Sequence, residues 1–254
     1  MKATIASIYR YPVKSLSAEP LARTNLQPGK ILPGDRRFAL ALASTRFDGH
    51  APQWQSKRAF LALTKHAKLA ALETLYDDET TDLTVLRGGK QVARGKLCDP
   101  VGRAIIEDFF AAYMGSDSHG KPHLTDGGED ISLTDQKDKL VSIINLASLR
   151  DLERVGGAGL DPLRFRANIY VDGIEPWSEF KWIGSEIEAG EVVFSVTERT
   201  DRCAAINVNP ENGDRDQNLI KALQVGFGHT DMGVFASVTK GGDLAVGDAI
   251  GPAI

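Results

Sequence analysis

Arg199-Thr200-Asp201-Arg202-Cys203-Ala204-Ala205-Ile206-Asn207-Val208-Asn209-Pro210-Glu211-Asn212-Gly213 is the stretch on which the reading of this chain turns. It follows a β-branched run, Val192 to Thr197, that reads as a strand. It ends in Asn-Pro-Glu-Asn-Gly, a turn signal. A lone thiol therefore sits just past a strand, between basic residues and a turn. Arg202 and Arg199 favour its thiolate, the form that attacks electrophiles or ligates soft metals. Spacing alone equally admits a small buried hydrophobe at a strand end.

Strands dominate on either side. Towards the C-terminus, Val234 to Val238 is strand-like, and the turn Gly241-Gly242 leads into Leu244-Ala245-Val246-Gly247-Asp248. A short helix is expected over Asp216 to Leu223. Towards the N-terminus, Ala167 to Val171 is expected to be a strand. The leucines at 146, 149 and 152, with Val155, predict a helix that Gly156-Gly157 ends. Gly115 to Asp130, rich in Gly, Ser, Asp and His, reads as a linker or a mobile loop beside a site. Ahead of it, Gly102 to Met114 reads as a helix whose stripe is Ile105, Phe109 and Tyr113 with Ile106, Phe110 and Met114. Leu83–Arg87 and Lys90–Arg94 around Gly88-Gly89 read as a hairpin. Thr4 to Tyr11 and Arg37 to Leu42 read as strands, with Pro12 and Pro33-Gly34-Asp35 as punctuation. Many short strands with about three helices predict an α+β, β-rich protein built on barrels.

Composition narrows the function classes. The chain has 254 residues, 42% hydrophobic and 25% charged, with net charge −4. That length buries a sizeable core without staples. That charge offers nucleic acid no electrostatic footprint. Two cysteines, Cys98 and Cys203, are too few for a disulfide scaffold or for a cluster held by four thiolates. Cys98, before Asp99-Pro100, reads as structural. The N-terminus lacks a signal peptide's apolar core, and no window reaches the run of about 18 apolar residues of a membrane span. The expectation is a cytoplasmic protein with no membrane partner.

Other candidate site residues are polar groups at bends. Lys14-Ser15 follows Tyr11-Pro12-Val13, and Arg36 follows the Gly34-Asp35 turn. Arg166 and Asn168 alternate along the expected strand Phe165 to Val171 and so share a face. Taken singly, each also fits a salt-bridged surface residue. His119 and His123 are four apart, but Gly120 and Pro122 rule out the helix a metal pair needs. Glycine-flanked His229 is a weaker pocket candidate. No phosphate loop and no serine nucleophile elbow occurs.

In order along the chain, Tyr11-Pro12-Val13-Lys14-Ser15 with Gly34-Asp35-Arg36 resembles the N-terminal β-barrel module of the MOSC (molybdenum cofactor sulfurase C-terminal) family. Arg164-Phe165-Arg166-Ala167-Asn168, Asp201-Arg202-Cys203 with Asn209-Pro210-Glu211-Asn212-Gly213, and Gly241 to Asp248 resemble the MOSC domain itself. The resemblance implies an N-terminal β-barrel-like module over 1–120 and a MOSC-type β-barrel domain with peripheral helices over 121–254. It implies a molybdenum cofactor (Mo-molybdopterin), with Cys203 as the metal ligand and the residue that carries catalysis. Lys14, Ser15, Arg36, Arg166, Asn168 and Arg202 match positions that hold the pterin and its phosphate. Forked guanidinium donors, a lysine and an amide suit those groups. The family includes the mitochondrial amidoxime-reducing component and bacterial reductases of N-hydroxylated compounds. The implied activity is therefore an oxidoreductase acting on a small N-hydroxylated substrate. Its electrons come from a separate flavoprotein or ferredoxin, since this chain has no cluster motif. The alternative is a sulfur- or cofactor-carrier protein that uses Cys203 as persulfide or anchor. The sequence departs from the reductases at Asp201, at Val234 where they have a tyrosine, and at Asp138 and Lys139 where they have hydroxyl contacts. Lys57-Arg58 is a further candidate phosphate contact.

Overall fold

The computed structural model describes residues 2–48, 52–128, 131–157 and 159–253. In chain order the strands and helices are β1 (Ala3–Arg10), β2 (Glu19–Leu21), β3 (Arg23–Leu26), β4 (Phe38–Ala41), β5 (Glu73–Tyr76), β6 (Asp82–Arg87), β7 (Lys90–Lys96), α1 (Pro100–Met114), β8 (His123–Asp126), β9 (Val141–Asn145), α2 (Leu146–Gly156), β10 (Ile169–Asp172), β11 (Glu186–Ala189), β12 (Val192–Asp201), α3 (Leu219–Phe227), β13 (Asp231–Lys240), β14 (Gly242–Ala245) and β15 (Ala249–Pro252).

Seven strands close a barrel in the order β10-β9-β13-β12-β11-β15-β1, with β1 pairing back to β10 and β2 flanking β1. Alternation along the staves explains why it closes. In β1, Ala3, Ile5 and Ile8 point inward, while Thr4 and Ala6 are exposed. Ile5 sits opposite Val171 and Ile8 opposite Ile169, and these join Ile143, Phe194, Val196, Val234 and Ala236 in one buried core. All five residues of β9 are buried. That fits a strand running parallel to β10, with α2 packed over the crossover between them. Asn145 caps α2 by accepting from the Ala147 amide at 3.0 Å.

The first half of the chain builds the meander β5-β6-β7 and the pair β4-β8, and lends β3 to pair with β14 from near the C-terminus. Its core contains Phe38, Leu61, Leu83, Ile106, Phe110 and Leu124. Strands cross the boundary expected at 120/121: β1 is a stave of the barrel, and β8 pairs with β4.

Several expectations need correction. The segment expected as a linker carries a short 3-10 turn, Gly115–Ser118, and then β8; its Glu129 and Asp130 lie outside the described residues. Composition hid β8 because its order comes from Leu124 and Thr125, both buried by long-range pairing with β4. The α1 stripe is graded: Ile106, Phe110 and Met114 are buried, Phe109 and Tyr113 pack partly buried against the same core, and only Ile105, 45% exposed, faces outward among the six. The third helix starts three residues later than expected, at Leu219, where Asn218 accepts from the Lys221 amide at 3.1 Å.

Candidate active site

The barrel rim and the first half of the chain enclose a cleft of about 320 Å3. Lys14, Ser15, Arg36, Arg166, Asn168, Arg202 and Cys203 all line it. They come from segments that are far apart in sequence.

Three of them hold a left-handed backbone without being glycine: Ser15 at φ 69°, Arg36 at φ 47° and Arg166 at φ 51°. Each such residue costs roughly 1–3 kcal/mol and persists only where its surroundings over-determine it. The surroundings are visible. Lys14 donates its amide to the Phe38 carbonyl at 2.8 Å, and Leu16 closes a tight turn onto Val13 at 3.2 Å, which places Ser15 at the bend. The Arg36 amide donates to the Tyr11 carbonyl at 2.8 Å, and the Tyr11 amide donates to Asp35 Oδ1 at 2.9 Å. Arg166 ends a 3-10 turn, Pro162–Phe165, which Asp161 caps through the Leu163 amide at 2.8 Å. Arg166 and Asn168 therefore reach the cleft from an irregular segment, not from adjacent turns of one strand; β10 begins only at Ile169. The left-handed Arg166 breaks the extended run, and pairing resumes at Asn168, whose amide donates to the Ser142 carbonyl at 3.1 Å and whose carbonyl accepts from the Tyr9 amide at 2.7 Å.

The cations are organised around Tyr11. Its fully buried ring lies 4.2 Å from the Arg36 guanidinium centre and 4.3 Å from that of Arg166. Its hydroxyl donates to the Ala167 carbonyl at 3.2 Å. Burial pushes the Tyr11 phenol up to about 12, against the pull of Arg166 and Arg36, so it stays neutral. Arg36 pairs with Asp35 and donates to the Arg166 carbonyl at 2.7 Å. Arg202 donates to the carbonyls of Met232 and Phe165, each at 2.9 Å. Burial pushes both Arg166 and Arg202 down to about 10, which leaves them cationic near neutrality. Lys14 is 7% exposed, and burial lowers its ammonium. Asp135 at 2.6 Å and the Leu133 carbonyl at 2.8 Å offset that. Burial works against the Asp135 carboxylate as well, but Lys14, with Lys57 and Arg36, outweighs it and holds the carboxyl below its usual range.

Cys203 is half-buried and opens a 3-10 turn, Ala204–Asn207. The β12–β13 ribbon delivers it. The pairing register slips between Arg199 and Asp201, so the strand is re-aimed immediately before Arg202 and Cys203. Beyond the thiol, Asn209 and Asn212 form turns with the amides of Glu211 and Asp214, each at 2.9 Å. Arg215 straps this loop to the first half of the chain, donating to the Ala204, Leu63 and Thr64 carbonyls at 3.1, 3.0 and 2.7 Å.

Other expectations come out differently. Arg199 does not flank the thiol: it stacks on Phe180 at 4.3 Å and faces Asp231 at 3.6 Å. Asn168 spends its amide internally, accepting from Ser142 Oγ at 2.9 Å and donating to the Tyr9 carbonyl at 3.3 Å. Val234 lies inside the barrel core, and its neighbour Phe235 lines the cleft. Asp201 accepts from Thr230 Oγ1 at 2.6 Å. Asp138 and Lys139 do not line the cleft, whereas Thr134, Asp135, Gln136 and Leu140 do. Lys57 lines the cleft, whereas Arg58 does not. His229 packs among Trp177, Phe180 and Phe227, away from the cleft. His119 caps the turn after α1, and His123 is the exposed first residue of β8. Among the described residues no cluster of His, Cys, Asp and Glu could hold a metal ion. Cys98 is exposed beside Arg37, at 3.5 Å. Among the described residues no helix is long and apolar enough to cross a membrane.

The cleft also contains donors without partners. Among the described residues Arg166 Nη2, Arg164 Nε and Thr200 Oγ1 are buried and find no hydrogen-bond partner, and all three residues line the cleft. Arg164 and Thr200 were not singled out as site residues. Their burial follows from pairing and packing that no local pattern encodes. A buried unpaired donor is unusual and points to a missing acceptor.

Comparison with known proteins fits this geometry. Residues 116–251 match the family described as MOSC domain, and residues 2–115 match the MOSC N-terminal beta barrel domain. The chain is 28% identical to molybdenum cofactor sulfurase of Homo sapiens over 154 residues, which is 54% of this chain and 17% of that protein. It is 30% identical to molybdenum cofactor sulfurase of Bos taurus over 117 residues, 41% of this chain and 13% of that protein. The chain thus spans only a small part of the length of these relatives. Among solved structures, the YUAD protein from Bacillus subtilis aligns with 98% of this chain and 94% of its own, at 12% identity and a TM-score of 0.46. YiiM from Geobacillus stearothermophilus aligns with 45% of this chain and 54% of its own, at 17% identity and a TM-score of 0.35.

Proposed function

The chain belongs to the MOSC family, and from that premise we propose that its cleft binds a molybdenum cofactor with Cys203 as the protein's ligand to the metal. One observation carries the reading. A half-buried thiol shares a single cleft with Lys14, Arg36, Arg166 and Arg202, and a buried nitrogen of Arg166 has no partner there. That donor set fits a molybdopterin. The phosphate is a dianion that suits a lysine and forked guanidiniums, and the metal centre calls for one soft ligand. Lys14, Ser15, Arg36 and Arg166 are the residues that would hold the phosphate and pterin. Arg202 and Asn168 act differently, since their donors are largely spent on backbone carbonyls. Arg202 brings fixed positive charge beside Cys203, and Asn168 ties β1, β9 and β10 together under the cleft.

When bound, such a cofactor supplies two-electron oxygen-atom chemistry at molybdenum. The protein contributes orientation and charge neutralisation. The specific activity we propose is reduction of N-hydroxylated compounds with electrons from a separate flavoprotein or ferredoxin. The chain's two cysteines support a separate donor, because they cannot hold a cluster. Turnover of the purified chain with NADH alone would refute that part. A second reading is favoured by the similarity to molybdenum cofactor sulfurases: a carrier in which Cys203 holds a persulfide. It predicts a gain of about 32 Da on Cys203 after incubation with a cysteine desulfurase, the mass of one sulfur bound to the thiolate.

The deciding experiment is elemental analysis of the wild type and Cys203→Ser, both purified from a host that makes the cofactor. Near-stoichiometric molybdenum in the wild type and its loss in the variant are expected. Negligible metal in both, while a control molybdoenzyme from the same host is loaded, overturns the reading.

A further inference from the structure

The cleft has a second arm that the proposed cofactor reading leaves unexplained. Beyond Arg166 it continues into a cavity of about 160 Å3, walled by Leu16, Ala18, Leu72, Leu163, Val208 and Pro210. Arg164 and Arg166 line both arms and stand at their junction.

Arg164 is the unusual residue. Its side chain is 2% exposed. Asp216 holds Nη2 at 2.8 Å, and Nη1 makes a long contact to the Asn207 carbonyl at 3.4 Å. Nε has no partner, and neither does Nη2 of Arg166. Among the described residues Arg166 pairs with no carboxylate; its Nη1 donates to the Leu16 carbonyl at 2.7 Å. The hydroxyl of Ser17, also on the arm, is already used by the Leu72 carbonyl and the Thr74 amide. The arm therefore combines an apolar wall with two buried nitrogen donors that lack acceptors, beside one guanidinium charge that lacks a counter-ion. Buried donors in that state call for an acceptor, and the uncompensated charge calls for a negative one.

Volume sets the body of the ligand. An apolar cavity of about 150 Å3 takes up benzene. The arm is of that size, too small for a nucleoside. We propose that it is a binding subsite for a small organic carboxylate of about the size of benzoate. Its carboxylate accepts from Arg164 Nε and Arg166 Nη2, and its ring packs on the apolar wall. The site needs no molybdenum, but it shares Arg166 Nη2 with the proposed cofactor, so the two ligands compete for that donor.

Calorimetric titration of benzoate into the full chain as purified tests this. The wild type binds one benzoate saturably, and benzyl alcohol, which has the body without the charge, binds at least tenfold more weakly. Arg164→Gln weakens benzoate at least tenfold. Ala18→Phe fills the arm while keeping Arg164, Arg166 and Asp216, and abolishes benzoate binding. It leaves inorganic phosphate, which addresses Lys14 and Arg36 in the main arm, unchanged, and so reports an intact fold. Absence of benzoate binding to the wild type, or benzoate affinity unchanged by Ala18→Phe, overturns the proposal. Benzoate is titrated into chain from a host that lacks the cofactor, because the cofactor would occupy Arg166, and molybdenum is measured on chain from a host that makes it; benzoate binding without metal uptake sinks only the cofactor, and metal uptake without benzoate binding sinks only the subsite.

Discussion

Replacing Tyr11 separates what its ring does from what its hydroxyl does. The ring lies 4.2 and 4.3 Å from two guanidinium centres. Each cation–π contact is worth about 1–2 kcal/mol when desolvated, so Tyr11→Leu forfeits about 2–4 kcal/mol before any cavity is counted. The cavity adds to that, because the side chain is fully buried. Tyr11→Phe keeps the ring and loses the hydroxyl, with its hydrogen bonds to the Ala167 carbonyl and to Tyr170, at a cost of about 1 kcal/mol. In a chain of this size 1 kcal/mol corresponds to about 2–4 °C in Tm. Scanning calorimetry should thus place Tyr11→Phe about 3 °C below the wild type and Tyr11→Leu at least 6 °C below it. The ring also pre-positions Arg36 and Arg166. Phosphate titrated into Tyr11→Phe should bind as in the wild type, and into Tyr11→Leu several-fold more weakly. If the two variants melt together, or if Tyr11→Leu binds phosphate normally, the stacked guanidiniums are not held by the ring and the reasoning fails.

Two other predictions come from the same structure. The Asp135 carboxyl is held below its usual range in the folded state, so it contributes stability above its unfolded value, and that contribution is lost as pH falls through the folded one. Asp135→Asn should lower stability across the neutral region, where that contribution is fully present, and flatten the acid limb below about pH 4, so that the variant and wild-type curves converge at low pH. Gly102→Ala should destabilise although alanine is the better helix former by about 1 kcal/mol. A Cβ there lies 2.3 Å from the Lys96 backbone, where α1 crosses β7, and chemical denaturation should show a net loss of about 1–3 kcal/mol.

Sequence by itself determined the parts that depend on neighbours along the chain. The Gly88-Gly89 hairpin is one: both glycines sit at positive φ, 56° and 74°, as a two-residue turn requires. The Asn145-capped helix, the strands around Arg202-Cys203, and the seven residues that share the cleft were also readable, the last because ordered motifs resembled one family. Tertiary structure alone decided three things. It made β8 a strand, since Leu124 and Thr125 acquire order only by pairing with β4. It sent Arg166 to the cleft through a left-handed turn and turned Arg199 away onto Phe180, because a bulge and a 3-10 turn break the period-two alternation on which face assignment rests. It also buried Arg164 with an unpaired Nε. Whether a buried donor finds an acceptor is settled by groups distant in the chain, and no local pattern of residues records it.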